Sequence, residues 1–269
     1  MMEKSTLPLI ILGGGFTGKV IYRQALKLQR PLLITSRSPK LHLQSFPENA
    51  QVLFDLEKPE TWNHLPEKGE AVWSFPATPI EQIERFIGEK GEVFHRLVVI
   101  GSTSAYQADP KKGVVTVDER SPVDLTMPRV KGEELLRKRL DATILRSAGI
   151  YGPGRNPLDW IREGRLKNSP HYLNLIHVED LASVSLLALE KGLPGEVYNV
   201  SDGNPRKISD LVETASLRWH IPPPPLSADL DPGKKVSNRK MRHLLNDSIQ
   251  FPDLYQALDQ LQKESAVNE

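Results

Sequence analysis

A doubly wound α/β fold is predicted for this chain of 269 residues, and three observations predict it. Short apolar runs recur through the first 150 residues, stretches of helical period separate them, and a glycine-rich loop follows the first run directly. The first run, "LPLIIL" (7–12), is apolar at every position, as a strand covered on both faces must be. After the glycines, Val20, Ile21, Leu26 and Leu28 mark one face of a helix. "PLLIT" (31–35), "QVLF" (51–54) and "AVWSF" (71–75) repeat the strand signal, and Ile80, Ile83 and Ile87 give the next helical face. "RLVVIG" (96–101) and "ATILRS" (142–147) complete the set. Strand followed by helix, repeated, makes a parallel sheet with helical crossovers the natural architecture.

The texture changes after Tyr151, where "GPGRNP", "GLPG" and "IPPPPLSADLDPGKK" break the alternation. Helical patterns remain at 177–192, 208–219 and 237–245. Four prolines at 222–225 fix four φ angles and remove four N–H donors, so they predict an extended connector. We expect a sheet domain over 1–150 that also receives 177–201, and a smaller substrate lobe over 151–269 at the sheet's C-terminal edge.

Composition narrows the partners. With 35 basic and 34 acidic residues the net charge is +1, which gives no electrostatic case for nucleic acid or an anionic membrane as the main partner. Cysteine is absent, so there is neither a disulfide framework nor thiolate chemistry. The N-terminal apolar run is too short for a signal core or a membrane span, and the chain is read as cytoplasmic. The expected partner is a small molecule, and oligomeric state is not legible.

Gly13-x-Gly15-x-x-Gly18 stands between the first strand and the first helix, the setting in which such a motif binds a dinucleotide. Gly13 permits the tight turn, Gly15 lets a pyrophosphate approach, and Gly18 allows the helix to pack closely on the strand. Phe16 and Thr17 complete the candidate loop. The same letters read G-x-x-x-x-G-K, but Val20 stands where a nucleoside-triphosphate loop needs a hydroxyl to hold Mg²⁺, so that reading is set aside. At the end of the second strand stand Ser36, Arg37 and Ser38 instead of a carboxylate. This predicts NADP, with NAD the alternative and a solvated loop cation the bland one.

Further motifs fall in order along the chain: "FDL" (54–56), "IGSTSAY" (100–106), "VDERSP" (117–122), "LRSAGIYGPGR" (145–155), "IHVEDLA" (176–182) and "YNVSDG" (198–203). With the glycine loop, they make the chain resemble the short-chain dehydrogenase/reductase superfamily, in its extended and atypical epimerase/dehydratase-like branch. The resemblance implies a Rossmann sheet with Asp55 and Leu56 against adenine, and Phe75, Pro76 and Ala77 beside the ribose and nicotinamide. It places Thr103 on the catalytic Ser/Thr position, Tyr151 at the entrance to the substrate lobe, and "KKVSNRKMRHLL" (234–245) on the branch's C-terminal helix. Leu12 replaces the usual first glycine. The segment from Asn156 to Ile176 is short for a nucleotide-sugar enzyme, and Leu175 replaces a common arginine, so sugar nucleotides fit poorly.

The resemblance also exposes a gap. The family's mechanism uses a tyrosine phenol four residues before a lysine, both on one helix face. Here Lys131 is present, but the residue four before it is Met127, and no tyrosine occurs between Tyr106 and Tyr151. Lys131 is a candidate for the ribose hydroxyls, or else a surface lysine on a charged helix with Glu133, Glu134 and Arg137. Tyr106 and Tyr151 are the candidates to replace the missing phenol, each with a packing or substrate-contact role as the alternative. The seven histidines show no metal-ligand spacing, and His177 with Glu179 and Asp180 reads as a helix start. Arg155, Arg162, Arg165 and Lys167 mark either a solvated face or a site for an anionic substrate. The expectation is an NADP-binding, epimerase/dehydratase-like oxidoreductase of a small hydroxyl or carbonyl compound, anionic if that cluster faces it. The alternative is a dinucleotide-binding redox sensor or assembly subunit that performs no hydride chemistry.

Overall fold

The computed structural model describes residues 5–108, 113–245 and 249–267. In chain order the strands are β1 (Leu9–Leu12), β2 (Leu32–Ser36), β3 (Gln51–Leu53), β4 (Gly69–Trp73), β5 (Phe94–Ser102), β6 (Val115–Val117), β7 (Thr143–Ser147), β8 (Gly149–Tyr151), β9 (Tyr172–Leu173), β10 (Leu175–His177), β11 (Val197–Val200), β12 (Arg206–Lys207) and β13 (Lys234–Val236). The helices are α1 (Phe16–Ala25), α2 (Pro39–His42), α3 (Ile80–Lys90), α4 (Pro128–Arg139), α5 (Pro157–Arg162), α6 (Val178–Lys191), α7 (Ile208–Trp219), α8 (Arg239–Leu245) and α9 (Leu254–Val267).

A seven-stranded sheet has the order β11-β7-β5-β4-β1-β2-β3. Its strands β3, β2, β1, β4 and β5 pair in parallel, and all six predicted runs belong to it. The connection turns back between β1 and β4, which makes the C-terminal end of β1 the crevice where a doubly wound sheet takes its ligand. β1 is buried at every residue, the reason its sequence carries no polar alternation. Beneath the sheet's binding end, Trp62, Trp73 and Phe86 form an aromatic core, Phe86 meeting Trp62 edge-on at 5.1 Å and Trp73 at 5.7 Å. One helical expectation is shortened: Leu26 and Leu28 lie in a 3₁₀ turn beyond α1, which Gln29 closes at φ 54° by donating its N–H to the Leu26 carbonyl.

The chain divides into two compact units at places no single boundary near 150 captures. One contains the chain up to Ala105, Val123–Arg146 and Leu181–Tyr198; the other contains Tyr106–Pro122, Ser147–Asp180 and the chain from Asn199 on. Tyr106–Pro122 joins the second unit because β6 pairs in parallel with β13, Val115 opposite Lys234. No local pattern marks a pairing between such distant residues.

The second unit holds three two-stranded ladders, β10-β8, β12-β9 and β13-β6. Its core gathers Tyr151, Leu158, Ile161, Leu175, Leu211, Leu254 and Leu258. The stretch 234–245, expected as helix, opens instead as β13 and turns helical only at Arg239. The Val236 N–H donates to Asn174 Oδ1 and the Ser237 N–H to the Val117 carbonyl, each at 2.9 Å, so neither is free for a helical bond. α9 was not expected, although Leu254, Ala257, Leu258 and Leu261 recur at helical spacing and are its buried face. The four prolines form neither helix nor strand. No helix of the described residues is long and apolar enough to cross a membrane.

Candidate functional site

The glycine loop is held from both sides. Gly13 takes φ +101°, a conformation that favours glycine, and its N–H donates to Thr35 Oγ1 at 2.9 Å while the Gly14 N–H donates to the Thr35 carbonyl at 2.6 Å. From the other neighbouring strand's end, Ser74 Oγ donates to the Gly13 carbonyl at 2.8 Å. A Cβ on Gly18 would lie 1.9 Å from that same carbonyl oxygen, so only glycine lets α1 come so close to the strand. Over Gly15 the space is open, with nothing within 4 Å of where a Cβ would stand. α1 starts at Phe16, and no side chain caps it, so the helix N-terminus and its dipole face the loop. Turn, open approach and close packing thus fall on Gly13, Gly15 and Gly18 respectively, the three features of a dinucleotide-type glycine loop.

A cavity of about 740 Å³ opens beside the loop. Gly13, Gly15, Phe16, Ser36, Arg37, Asp55, Leu56, Phe75 and Pro76 all line it, bringing together residues from the ends of four strands. Thr17 and Gly18 are buried beneath it, and Ser38, Ala77 and Lys131 are not part of its wall. The cavity is of ordinary small-molecule size, and aromatic walls from Phe16, Phe54 and Phe75 stand beside polar and charged groups, a mixture that suits an adenosine moiety. Asp55 is fixed by its neighbours, its Oδ1 accepting the Glu57 N–H at 3.1 Å and its carbonyl accepting Trp62 Nε1–H at 3.0 Å. Thr35, Lys19, His42 and Glu57 also line the cavity and were not among the sequence candidates. Lys19 has a sequence signal only as the lysine of the triphosphate-loop pattern, and His42 has none beyond its residue type. Among the described residues no group of three or more His, Asp or Glu is placed to hold a metal.

β5 ends at Ser102, and Thr103 begins a single 3₁₀ turn in which it is buried at 8% exposure. Ser102 Oγ and Ser104 Oγ lie 3.1 Å apart, and the Arg129 guanidinium donates to Ser104 Oγ. The helix carrying Lys131 corrects the predicted geometry of the missing pair. α4 begins at Pro128, and Met127 caps it from outside with φ −72° and ψ 120°. A residue before proline is driven out of the helical region, so Met127 stands at the helix N-cap, its carbonyl accepting the Lys131 N–H at 3.1 Å. Lys131 is exposed. Its neighbour Gly132 seats the helix: a Cβ there would stand 1.9 Å from the Ala77 carbonyl oxygen.

Glu133, on the same charged helix, is buried at 3% exposure. Its carboxyl rests on Gly101, and Oε2 has no hydrogen-bond partner among the described residues. Burial pushes its pKa up to about 7 against the opposing pull of Arg146 and Arg129. Glu134 takes the ion pairs instead, with Arg137 at 2.7 Å and Arg146 at 3.0 Å.

In the second unit both candidate tyrosines are inside. Tyr106 is 2% exposed and donates its phenol to Asn199 Oδ1 at 2.6 Å. Tyr151 is fully buried, its hydroxyl has no hydrogen-bond partner among the described residues, and burial raises its pKa above the ordinary phenol range. His177 stacks on Phe251 with centroids 3.7 Å apart, accepts the Glu179 N–H at Nδ1, and is pushed by burial down to about 4. Asp180 accepts the N–H groups of Gln250 and Phe251, tying down the chain ahead of α9. Of the basic cluster, Arg162 pairs with Asp159 at 2.6 Å and Arg165 with Glu163 at 2.6 Å, and all four residues are exposed. The anionic-substrate reading therefore loses two of its cations to local partners.

No family model matches the chain. It is 29% identical over 164 residues to Protein YeeZ of Escherichia coli strain K12, a match spanning 59% of this chain and 59% of that protein's length. Among solved structures, a protein assigned to the NAD-dependent epimerase/dehydratases of Methylobacillus flagellatus superposes with a TM-score of 0.79. It is 23% identical, over 98% of this chain and 100% of that one. A short-chain dehydrogenase/reductase superfamily protein of Agrobacterium tumefaciens, solved with bound NAD, gives 0.77 at 15% identity over 97% and 98%. The sheet order, the glycine loop at the end of β1 and these superpositions agree: the chain has the doubly wound Rossmann fold that these structures share.

Proposed function

We propose that the chain binds NADP and acts as an epimerase/dehydratase-like oxidoreductase on a small hydroxyl or carbonyl compound. The observation that carries the reading is the cavity beside the glycine loop, with Arg37 on its edge and no carboxylate at the end of β2. A carboxylate there would take the ribose 2′-hydroxyl and repel a 2′-phosphate. An arginine offers that phosphate a planar pair of donors. The nicotinamide, when bound, supplies a hydride acceptor or donor. Thr103 contributes a hydroxyl fixed by the end of a buried strand, and Lys131 an ammonium for ribose hydroxyls.

NADP(H) is expected to bind more tightly than NAD(H) in calorimetry, and Arg37→Ala to weaken NADP by about tenfold or more while leaving NAD nearly unchanged. Equal affinities in the native protein would show that Arg37 does not contact the cofactor.

A second reading has its own observation. Met127 cannot transfer a proton, and the two candidate tyrosines, Tyr106 and Tyr151, are buried, which favours a protein that binds the dinucleotide without turnover. A substrate screen followed at the reduced-nicotinamide absorbance separates the two. Little or no turnover is expected on sugar nucleotides, and whatever activity appears is expected to fall at least ~100-fold in Thr103→Val but less in Lys131→Ala. Activity created by Met127→Tyr in an otherwise silent protein would establish the sensor reading. Native turnover that survives Thr103→Val but is lost in Tyr106→Phe or Tyr151→Phe would overturn the role given to Thr103.

A further inference from the structure

One ring in the adenosine cavity has no role in the reading above. His42, the last residue of α2, lines the cavity with Arg37 and Lys19. Its Nδ1 lies 3.0 Å from Ser36 Oγ, and that same oxygen accepts the Ser38 N–H at 3.0 Å. A serine oxygen that has accepted one hydrogen bond still has its own proton to give. Given to Nδ1, that proton leaves the imidazole's single hydrogen on Nε2, where it is available as a donor.

We propose that His42 is a specificity-determining residue: its Nε2–H donates to the 2′-phosphate of NADP, beside Arg37 and Lys19, while Ser36 selects the ring tautomer. The inference rests on the NADP reading and deepens it. A phosphate monoester carries about −1.5 to −2 charge and three acceptor oxygens, so a guanidinium fork, an ammonium and one ring N–H can each engage it. A ribose 2′-hydroxyl is uncharged and satisfies few of these donors. The gain from His42 therefore falls on NADP and not on NAD.

A bland role for the ring is to hold the turn after β2. Backbone bonds already hold it, since the His42 N–H donates to the Ser38 carbonyl at 3.0 Å and the Leu43 N–H to the Pro39 carbonyl at 2.8 Å. The imidazole is exposed, so truncating it leaves no core cavity. Removing it should change recognition without unfolding the loop.

Calorimetric titration of the full chain with NADP and with NAD tests this, using His42→Ala, His42→Gln and Ser36→Ala. His42→Ala is expected to weaken NADP about tenfold and NAD less than about twofold. His42→Gln, which keeps an N–H donor, should recover part of the loss. Adding Ser36→Ala to His42→Ala should weaken NADP by less than the product of the single effects, because the two residues act as a unit. Equal weakening of both dinucleotides would show that the ring only supports the turn, and no change in either would show that it touches no phosphate; each overturns the inference. If the native protein prefers NADP and Arg37→Ala erases that preference while His42→Ala does not, the NADP reading stands and the inference alone falls. If the native protein shows no preference, the reading itself fails.

Discussion

Gly15→Val is expected to abolish dinucleotide binding in a protein that remains folded. The backbone at this position is extended, with φ −79° and ψ −164°, a region valine favours. Nothing lies within 4 Å of the new Cβ, so the folded chain has room for the side chain. That room is the approach a pyrophosphate needs to reach the uncapped N-terminus of α1. The expected result is a loss of at least ~100-fold in affinity for NADP and NAD alike, about 2.7 kcal/mol, with a melting temperature within a few degrees of the native protein. Calorimetry and thermal unfolding measured on one preparation check both halves. Retained affinity would place the dinucleotide away from this loop.

Gly132→Ala should have the opposite signature. Alanine is the better helix former by about 1 kcal/mol, so local propensity alone predicts a gain in stability. The built Cβ, however, falls 1.9 Å from the Ala77 carbonyl oxygen and 2.9 Å from its carbon. Neither is the far end of a flexible side chain, so α4 or the backbone at Ala77 must move. Overpacking of this kind costs ~1–3 kcal/mol, and a backbone clash falls at the high end, so after the helix gain the expected net loss is about 2 kcal/mol, seen as a fall in melting temperature of roughly 4–8 °C. Because Lys131 precedes the contact and Ala77 follows the cavity wall, cofactor affinity should fall as well. An unchanged melting temperature would mean that α4 is not seated on Ala77.

Both glycines lie in the unit that holds the seven-stranded sheet, yet only one announces itself. Gly15 belongs to a spacing that follows an apolar strand, and its function is written in neighbours a few residues away. Gly132 is an isolated glycine in a charged helix, and its reason is a carbonyl 55 positions earlier. The same contrast separates Ser36 and Arg37, legible as the end of a strand, from Thr35 and Ser74, whose hydrogen bonds pin the glycine loop from the strands on either side. His42 carried no signal beyond its residue type, because only the turn after β2 brings it to the cavity.

The amino-acid sequence by itself determined six strands of the sheet, the glycine loop and the class of fold, because each rests on burial that repeats over a few consecutive residues. A strand covered on both faces must be apolar throughout, and a helix covered on one face must be apolar every three or four residues. Tertiary structure decided the rest. It paired β6 with β13 and so moved Tyr106–Pro122 into the second unit. It set Met127 outside α4, sank Glu133 against Gly101, and enclosed the phenols of Tyr106 and Tyr151. Periodicity records how buried a position is within its own element. Which distant backbone it meets, and whether a polar group there finds a partner, is set only when the elements pack.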